Sequence, residues 1–340
     1  MGEIYIISES EVRQCLTMSM AIRGVEDAYV QKVSGKGEIF PLVCHDFVKG
    51  RADMDIKSGE AKSSGIFGLK VVSWFGDNTS KGLPALNGTI LLMDNTTGEP
   101  MALLNAAGIT GMRTGAAGAV GVKYLAREDS RTMLMVGTGA QAPYQIAAVL
   151  TARAAVDTVY LCDPMDARGG EKRLAEVEAA VDDIISRETR SNSYKICPAE
   201  SLEAAVRRSD IIITATPSRT PMIFADWVRP GTHFSCMGAD MHGKQELDPR
   251  LLARARVFVD DLRQAVSVGE CELAVSQGIL KEADIAGELG AVIDGTASGR
   301  TSWDSVTVFD SSGIALQDLI VAKEIVEAAK AMGLGRLVEL

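Results

Sequence analysis

An apolar run ends in the pattern G-x-G-x-x-A within the segment TMLMVGTGAQA, residues 132–142. This pattern is typical of a strand that turns tightly into a helix beneath a dinucleotide. Gly137 would make the turn, Gly139 would let the pyrophosphate approach the backbone, and Ala142 would let the helix pack closely. A second apolar run ends about 20 residues later at Asp163, whose carboxylate could accept hydrogen bonds from both hydroxyls of the adenosine ribose. The alternative is a glycine-rich turn in an α/β protein without a nucleotide, because the chain contains 33 glycines.

The composition predicts a soluble globular enzyme with two domains. Its 340 residues exceed the usual size of one domain. The chain is 46% hydrophobic and 24% charged, which is ordinary for a globular protein. The formal net charge is −10 and the pI is about 5.0. This acidity argues against a nucleic-acid partner and against binding to anionic membranes.

The cysteines and histidines predict a cytoplasmic protein without a metal site. None of the six cysteines forms a C-x-x-C pair, and several lie in apolar runs, so we expect free, buried thiols in a reducing cytoplasm. With only three histidines, a histidine-based metal site is not expected. The first residues lack the basic start and long apolar run of a secretion signal, and no apolar stretch is long enough to predict a membrane span.

The first third of the chain alternates between helical and β-like patterns. Residues 8–36 predict one helix, capped by Ser8 or Ser10. Residues 39–105 form short β-like runs, including a hairpin, and predict an antiparallel sheet. Residues 106–127 predict a helix whose glycines permit close packing against another element.

From residue 131 the pattern changes to alternating strands and helices, which predicts a doubly wound parallel sheet. The strand candidates are residues 132–136, 157–162, 194–197, 210–215, 232–237 and 256–259, with helices that include 140–153 and 167–188. One more apolar strand, residues 305–310, leads into a long helix from Ala315 to about Met332.

Three cations in the first part of the chain are candidates to anchor a substrate carboxylate, which an amino- or keto-acid substrate would carry. Lys70 lies inside an apolar β run, Arg113 lies in the small-residue helix, and Lys57 lies in a short polar segment. Each has a simpler interpretation. Lys70 could point outward from its strand into water, Arg113 could form a structural ion pair, and Lys57 could lie on the surface.

Two further candidates follow apolar strands, where open α/β sheets bind their ligands. Asp240 comes after the run at residues 232–238, and the segment Thr214–Ser218 comes after Ile211–Ile213. The simpler interpretations are a turn aspartate and a proline-marked turn.

Taken together, these motifs resemble the ornithine cyclodeaminase/μ-crystallin family over nearly the whole chain. The matching segments are residues 68–70, 82–88, 112–118, 137–142, 238–247 and 306–318. The family includes ornithine and lysine cyclodeaminases, archaeal-type alanine dehydrogenases, ketimine and pyrroline-carboxylate reductases, and μ-crystallin.

The resemblance implies a homodimer in which a Rossmann-type doubly wound parallel sheet domain is inserted into an N-terminal α+β domain. We therefore expect residues 1–118 with 310–340 to bind substrate and dimerise, and residues 119–309 to bind NAD. Lys70 and Arg113 match the residues that hold the substrate carboxylate, with Lys70 close to the reacting nitrogen. Asp240 matches the acid/base that moves the proton.

The resemblance and the dinucleotide motif together imply the cofactor contacts. Thr114 matches a cofactor contact, and Ser311 and Gly313 match the loop beside the nicotinamide, where Gly313 would also approach the substrate. The expected cofactor contacts are Arg113, Thr114, Gly137, Gly139, Ala140, Gln141, Ala142, Asp163, Thr214, Ala215, Thr216, Met237, Gly238, Asp240 and Ser311. Asp163 would repel a 2′-phosphate, so we expect NAD rather than NADP, although Arg168 lies near in sequence.

Two departures from the family bear on the substrate. Many members carry P-x-R where this chain has Pro41-Leu42-Val43, so one carboxylate anchor is replaced by Val43. Ornithine cyclodeaminase has a glutamate for the distal amine where this chain has Asp55-Ile56-Lys57. A lysine would repel an ornithine ammonium, although Asp55 could still accept it. Our hypothesis is that Lys57 replaces the missing arginine.

Three functions remain open at this point. The first is an NAD-dependent amino-acid dehydrogenase or imine reductase, in which hydride passes between the nicotinamide and the α-carbon of a 2-amino or 2-imino acid. The second is an ornithine or lysine cyclodeaminase that releases ammonia and recycles its NAD internally. The third is a non-catalytic, μ-crystallin-like binding protein, for which an acid/base such as Asp240 would be superfluous.

Overall fold

The computed structural model describes residues 2–166, 168–188 and 193–340. It divides into two compact units. The first unit runs to Arg113 and resumes at Ile314, and the second unit comprises Thr114–Gly313. The second unit is thus inserted into the first, and its limits differ by a few residues from those expected from the sequence.

The strands of the described residues are β1 (Glu3–Ile7), β2 (Gly37–Ile39), β3 (Val43–Val48), β4 (Ala52–Ala61), β5 (Ile66–Phe75), β6 (Leu86–Asp94), β7 (Pro100–Asn105), β8 (Thr132–Val136), β9 (Thr158–Cys162), β10 (Lys195–Pro198), β11 (Ile211–Thr214), β12 (Arg219–Ile223), β13 (His233–Cys236), β14 (Gln245–Leu247), β15 (Arg256–Val259), β16 (Gly287–Glu288), β17 (Thr307–Asp310) and β18 (Arg336–Glu339). The α-helices are α1 (Glu9–Cys15), α2 (Met18–Val33), α3 (Ala107–Leu125), α4 (Ala142–Ala152), α5 (Gly169–Ile185), α6 (Leu202–Arg208), α7 (Pro249–Arg254), α8 (Leu262–Val268), α9 (Cys271–Ser276), α10 (Leu289–Ile293) and α11 (Ala315–Met332).

The first unit is a mixed sheet with the order β18-β1-β7-β6-β5-β4-β2, and β3 pairs with β4. The pairs from β2 to β7 are antiparallel, as the sequence predicted, but β1 runs parallel to β7. One face of the sheet packs against α11. The approach is close at Gly68, where an added Cβ would lie 3.1 Å from the Leu319 side chain. Helix α2 packs on α11 so closely that a Cβ on Gly24 would lie 2.8 Å from Val321.

The prediction of one helix over residues 8–36 was wrong. The chain forms α1 and α2 instead, because Leu16 is extended and Thr17 starts a new helix by accepting a 3.2 Å hydrogen bond from the Met20 amide. Ser8 caps α1 in a capping box with Glu11, as its sequence position suggested. A capping residue can thus start a new helix even where the helical spacing of apolar residues continues without a break.

The second unit is built on a parallel sheet with the order β10-β9-β8-β11-β13-β17-β15-β16. The order reverses beside β8, whose neighbours are β9 and β11, so the predicted doubly wound sheet is confirmed. Glycines of α3 allow it to pack closely against α4 and β17. An added Cβ would lie 2.2 Å from Gln145 Oε1 at Gly118 and 2.6 Å from the Phe309 ring at Gly121, so a larger residue would clash at either position. Each helix in the described part of the chain is either too short or too polar to span a lipid bilayer.

Candidate active site

The turn between β8 and α4 has the geometry that a dinucleotide requires. Gly137 has a φ of +108°, and a Cβ there would lie 2.6 Å from the Ala215 carbonyl oxygen, so only glycine is accommodated. Gly139 and Ala140 are exposed, and no atom lies within 4 Å of a Cβ built on Gly139. Helix α4 then begins at Ala142 without a side-chain cap from the described residues. An open glycine turn before an uncapped helix N-terminus fits a bound pyrophosphate.

Asp163 is fixed beside this turn. Its Oδ2 accepts a 2.9 Å hydrogen bond from the Thr138 hydroxyl, and its Oδ1 accepts one of 2.9 Å from the Met165 amide. Arg168, the cation that could have met a 2′-phosphate, is exposed and donates instead to Glu171 at 3.1 Å. The carboxylate is therefore held at the end of β9, where the family pattern expects a ribose.

A buried carboxylate joins the two loops that follow β11 and β13. Glu246 on β14 accepts hydrogen bonds from the Thr214 hydroxyl at 2.6 Å, from the amide and hydroxyl of Thr216 at 2.8 Å each, and from the Gly238 amide at 3.1 Å. Burial raises the pKa of Glu246 in spite of these donors. Thr214 is fully buried, so it supports the loop from behind. Met237 is half-buried and continues the main chain from β13 towards Gly238.

A second buried carboxylate shapes the loop after β17. Asp260 accepts hydrogen bonds from the hydroxyls of Ser311 at 2.9 Å and Ser312 at 3.1 Å, and from the Gly313 amide at 2.7 Å. Burial raises its pKa against these donors. Gly313 has a φ of +80°, a conformation that favours glycine. The loop expected beside the nicotinamide is therefore held by a side chain that sequence reasoning did not select.

Asp240 lies in the loop after β13, at the carboxyl end of the parallel sheet. Its side chain is 49% exposed and pairs with Lys244. The neighbouring Gly243 amide donates to Glu272 at 2.8 Å, which ties the loop to α9. Thr114, at the start of the second unit, accepts a 3.0 Å hydrogen bond on its carbonyl from the Gln145 amide group. An exposed carboxylate on an anchored loop has the access that proton transfer requires.

The first unit contains a buried group of cations around one carboxylate. Asp318 Oδ1 accepts hydrogen bonds from Lys70 Nζ at 2.8 Å and from Arg113 Nε at 3.0 Å. Lys70 is 1% exposed, so the interpretation of an outward-pointing strand lysine was wrong. Gln317 supports the group, because its Oε1 accepts from Arg113 at 3.3 Å and its amide donates to the Tyr29 hydroxyl at 2.7 Å.

Lys57 lies on β4 directly opposite Lys70 on β5. Side chains that face each other across two strands share one face of the sheet, so the two lysines lie on the same side. Burial, Arg113 and Lys57 lower the pKa of Lys70 to about 7, although Asp318 acts to raise it. The group thus holds more positive than negative charge, and it favours a bound anion.

Asp318, Gln317, Glu246 and Asp260 were not selected from the sequence. Most of their partners lie far away along the chain, for example 248 residues between Lys70 and Asp318. The one available signal was a charged or amide side chain in an otherwise apolar segment, as in Ala315-Leu316-Gln317-Asp318-Leu319. Such residues are rarely buried without a partner, so this pattern could have predicted a buried polar contact.

The chain is similar to known proteins over nearly its whole length. The chain is 38% identical to the alanine dehydrogenase of Archaeoglobus fulgidus over 335 residues, which covers 98% of this chain and 97% of that protein. An archaeal alanine dehydrogenase solved as a dimer with bound NAD has a TM-score of 0.87, with 35% identity over 99% of both chains.

Two further solved structures are similar over nearly the whole length. The iminosuccinate reductase of Paracoccus denitrificans in complex with NAD⁺ has a TM-score of 0.89 and 32% identity, covering 99% of this chain and all of that one (100%). The Δ1-pyrroline-2-carboxylate reductase of Thermococcus litoralis in complex with NADH and L-proline has a TM-score of 0.88 and 30% identity, covering 98% and 99%. The sequence model of the ornithine cyclodeaminase/μ-crystallin family matches residues 3–333 of this chain. This chain therefore belongs to the ornithine cyclodeaminase/μ-crystallin family.

Proposed function

We propose that this protein is an NAD-dependent oxidoreductase that transfers hydride between the nicotinamide and the α-carbon of a 2-amino or 2-imino acid. The observation that carries the proposal is the buried pair of Lys70 and Arg113 on the single carboxylate of Asp318. Relatives over nearly the whole chain are an alanine dehydrogenase, an iminosuccinate reductase and a pyrroline-2-carboxylate reductase, each of which acts at such a carbon.

Charge balance supports a carboxylate ligand. Arg113 and Lys57 both lower the pKa of Lys70, and all three cations lower the pKa of Asp318, whose carboxylate binds Lys70 and Arg113. A substrate carboxylate would supply a second negative charge, and planar guanidinium groups bind carboxylates in a defined orientation. Holding the carboxylate in this way orients the adjacent α-carbon, and such orientation can contribute roughly 7–11 kcal/mol to lowering a barrier.

Asp240 is the proposed acid/base. It follows β13 at the carboxyl end of the sheet, and its exposed carboxylate can give a proton to, or take one from, the substrate nitrogen or a water molecule. The Lys244 ammonium holds it in place. A positioned group of this kind contributes about 10²–10⁴-fold to a rate.

The proposed cofactor is NAD, bound by the second unit as a Rossmann domain. The turn from Gly137 to Ala142 would hold the pyrophosphate, Asp163 the ribose, and the loops that carry Thr216, Gly238 and Ser311 the nicotinamide end. When bound, NAD supplies or accepts the hydride. Asp163 favours NAD over NADP, because its carboxylate would repel a 2′-phosphate.

The first unit is proposed to form a homodimer. The sheet face opposite α11 carries apolar side chains that remain partly exposed, namely Phe67, Leu69, Val71, Leu91, Met93 and Leu103. An apolar face of this kind usually marks an interface, and the similar archaeal alanine dehydrogenase was solved as a dimer. Light scattering should give twice 36.1 kDa, and a mass of 36.1 kDa would contradict the dimer.

The proposed compartment is the cytoplasm, because the free cysteines are typical of a reducing environment.

The reaction can be tested by following NADH absorbance with a panel of substrates. The panel comprises 2-oxo acids with ammonia or methylamine, Δ1-pyrroline-2-carboxylate, ornithine and lysine. Steady NADH consumption with an oxo acid plus amine, or with the cyclic imine, would support the proposal. Ammonia release from ornithine without net change in NADH would show a cyclodeaminase instead. Tight binding without turnover across the panel would indicate a binding protein.

A further inference from the structure

One carboxylate oxygen in the first unit holds two cations that come from different elements. Asp318, in the first turn of α11, accepts from Lys70 of β5 and from Arg113 of α3 on the same Oδ1 atom. Asp318 is 0% exposed and Lys70 is 1% exposed. Because both bonds end on one atom, the positions of the two cationic groups relative to each other depend on this carboxylate.

We propose that Asp318 is a positioning residue, which fixes the Lys70 ammonium and the Arg113 guanidinium as a preformed receptor and favours the protonated form of Lys70. The identity of the bound anion as a substrate carboxylate rests on the proposed function. The effect of Asp318 on Lys70 does not depend on it.

The charged groups that face Lys70 come from three elements. Arg113 faces it from α3, Lys57 from the opposite position on β4, and Asp318 from α11. Its neighbour on β6 is the buried, apolar Ile90. Burial and the two cations favour the neutral amine, and Asp318 alone among these groups favours the ammonium. Removing the Asp318 charge would therefore lower the pKa of Lys70 below its value of about 7.

The other oxygen of Asp318 strengthens this interpretation. Asp318 Oδ2 is buried and accepts no hydrogen bond from the described residues. Burial would raise the pKa of this carboxyl, yet Arg113 and Lys70 lower it overall. The carboxylate charge is therefore compensated by the cations and, through its place in the first turn, by the N-terminus of α11. Asp260, by contrast, accepts hydrogen bonds on both oxygens from three donors that shape its loop.

The direct test is the titration of Lys70, followed by NMR of ¹³Cε-labelled lysine. The Lys70 resonance is assigned by its loss in Lys70→Met. We expect a wild-type midpoint near 7 and, in Asp318→Asn, a midpoint lower by about 1–3 pH units, the usual effect of losing one close opposite charge. Glu324→Gln is the matched control, because it removes a carboxylate from the same helix and should leave the midpoint unchanged. An unchanged midpoint in Asp318→Asn would overturn the proposal.

The variant Asp318→Glu separates position from charge. It retains the negative charge but moves the oxygens by one methylene, so the Lys70 midpoint should stay within about one unit of wild type while the KM for the oxo acid rises. It also serves if Asp318→Asn does not fold, as judged by circular dichroism. A Glu variant with wild-type KM would show that the placement of the oxygen is immaterial, and the positioning role would be refuted.

The pH profile of kcat/KM gives a second readout. Lys70 binds an anion only below its pKa, so a two-unit drop would lower kcat/KM of Asp318→Asn about 100-fold at pH 8 and about 10-fold at pH 6. A pH-independent loss would mean a merely structural role. If the NMR midpoint moves but no substrate of the panel is turned over, the proposed function fails while the inference about Asp318 stands.

Discussion

Replacing Glu246 by glutamine should weaken both the second unit and its binding of NADH. The carboxylate receives two donors on each oxygen, and each pair contains one backbone amide, from Thr216 on Oε1 and from Gly238 on Oε2. A glutamine side chain has one acceptor oxygen, so its NH₂ group must face one of these amides. The hydroxyls of Thr214 and Thr216 can rotate to accept, but an amide cannot.

The size of the effect follows from this count. One buried backbone donor left without an acceptor costs about 1–3 kcal/mol, so Glu246→Gln should lower the free energy of unfolding by about 2 kcal/mol. Glu246→Ala leaves both amides unsatisfied and also creates a cavity, so its cost should be about twice as large. Because the same amides fix the loops after β11 and β13, we expect the Kd for NADH to rise about tenfold or more, since ordering a loosened loop on binding costs affinity.

Urea titration and the quenching of protein fluorescence by NADH would measure the two effects. Glu282→Gln, an exposed substitution of the same kind in the same unit, is the matched control and should change neither. If Glu246→Gln unfolded at the wild-type urea concentration and bound NADH with the wild-type Kd, the carboxylate would not be holding the two loops, and the reasoning would be refuted.

Two further predictions concern specificity. Lys57→Met should raise the KM for the oxo acid about 10- to 100-fold, which is the effect of losing one charge-assisted hydrogen bond, and should lower kcat much less. An unchanged KM in steady-state kinetics would refute the role of Lys57 as a carboxylate anchor. Asp163 is fixed at the end of β9, and Arg168 is paired with Glu171. We therefore expect kcat/KM for NADH to exceed that for NADPH by at least about tenfold. A preference for NADPH would contradict this assignment.

The fold was predicted well where local patterns and burial agree. The inner strands of the parallel sheet are largely buried, so they form apolar runs that indicate their limits to within a residue or two. The two-residue edge strand β16 was not predicted. Helix α11 was predicted from Ala315 to about Met332 and has these limits. The short strands β12 and β14 were not predicted, because strands of three to five residues carry no strong period and β12 also contains Pro221.

The candidate site was predicted only in part, because sequence patterns identify groups but not their partners. Lys70 and Arg113 were selected as anchors, yet their shared bond to Asp318 is a tertiary contact that no local period indicates. Glu246 and Asp260 likewise bind residues at the ends of other strands and in the loops that follow them. A charged side chain inside an apolar segment indicates that such a contact exists. The segment alone does not say which face is buried, so it does not identify the partner.

We infer that the buried cations of the first unit bind the carboxylate of a substrate whose α-carbon exchanges hydride with NAD. A crystal structure of the protein with NADH and pyruvate tests it most directly. We expect the pyruvate carboxylate to lie about 2.7–3.2 Å from Lys70 Nζ and the Arg113 guanidinium, with the pyrophosphate on the turn from Gly137 to Ala142. Pyruvate bound elsewhere, with Lys70 and Arg113 still directed only to Asp318, or NADH absent from that turn, would contradict it.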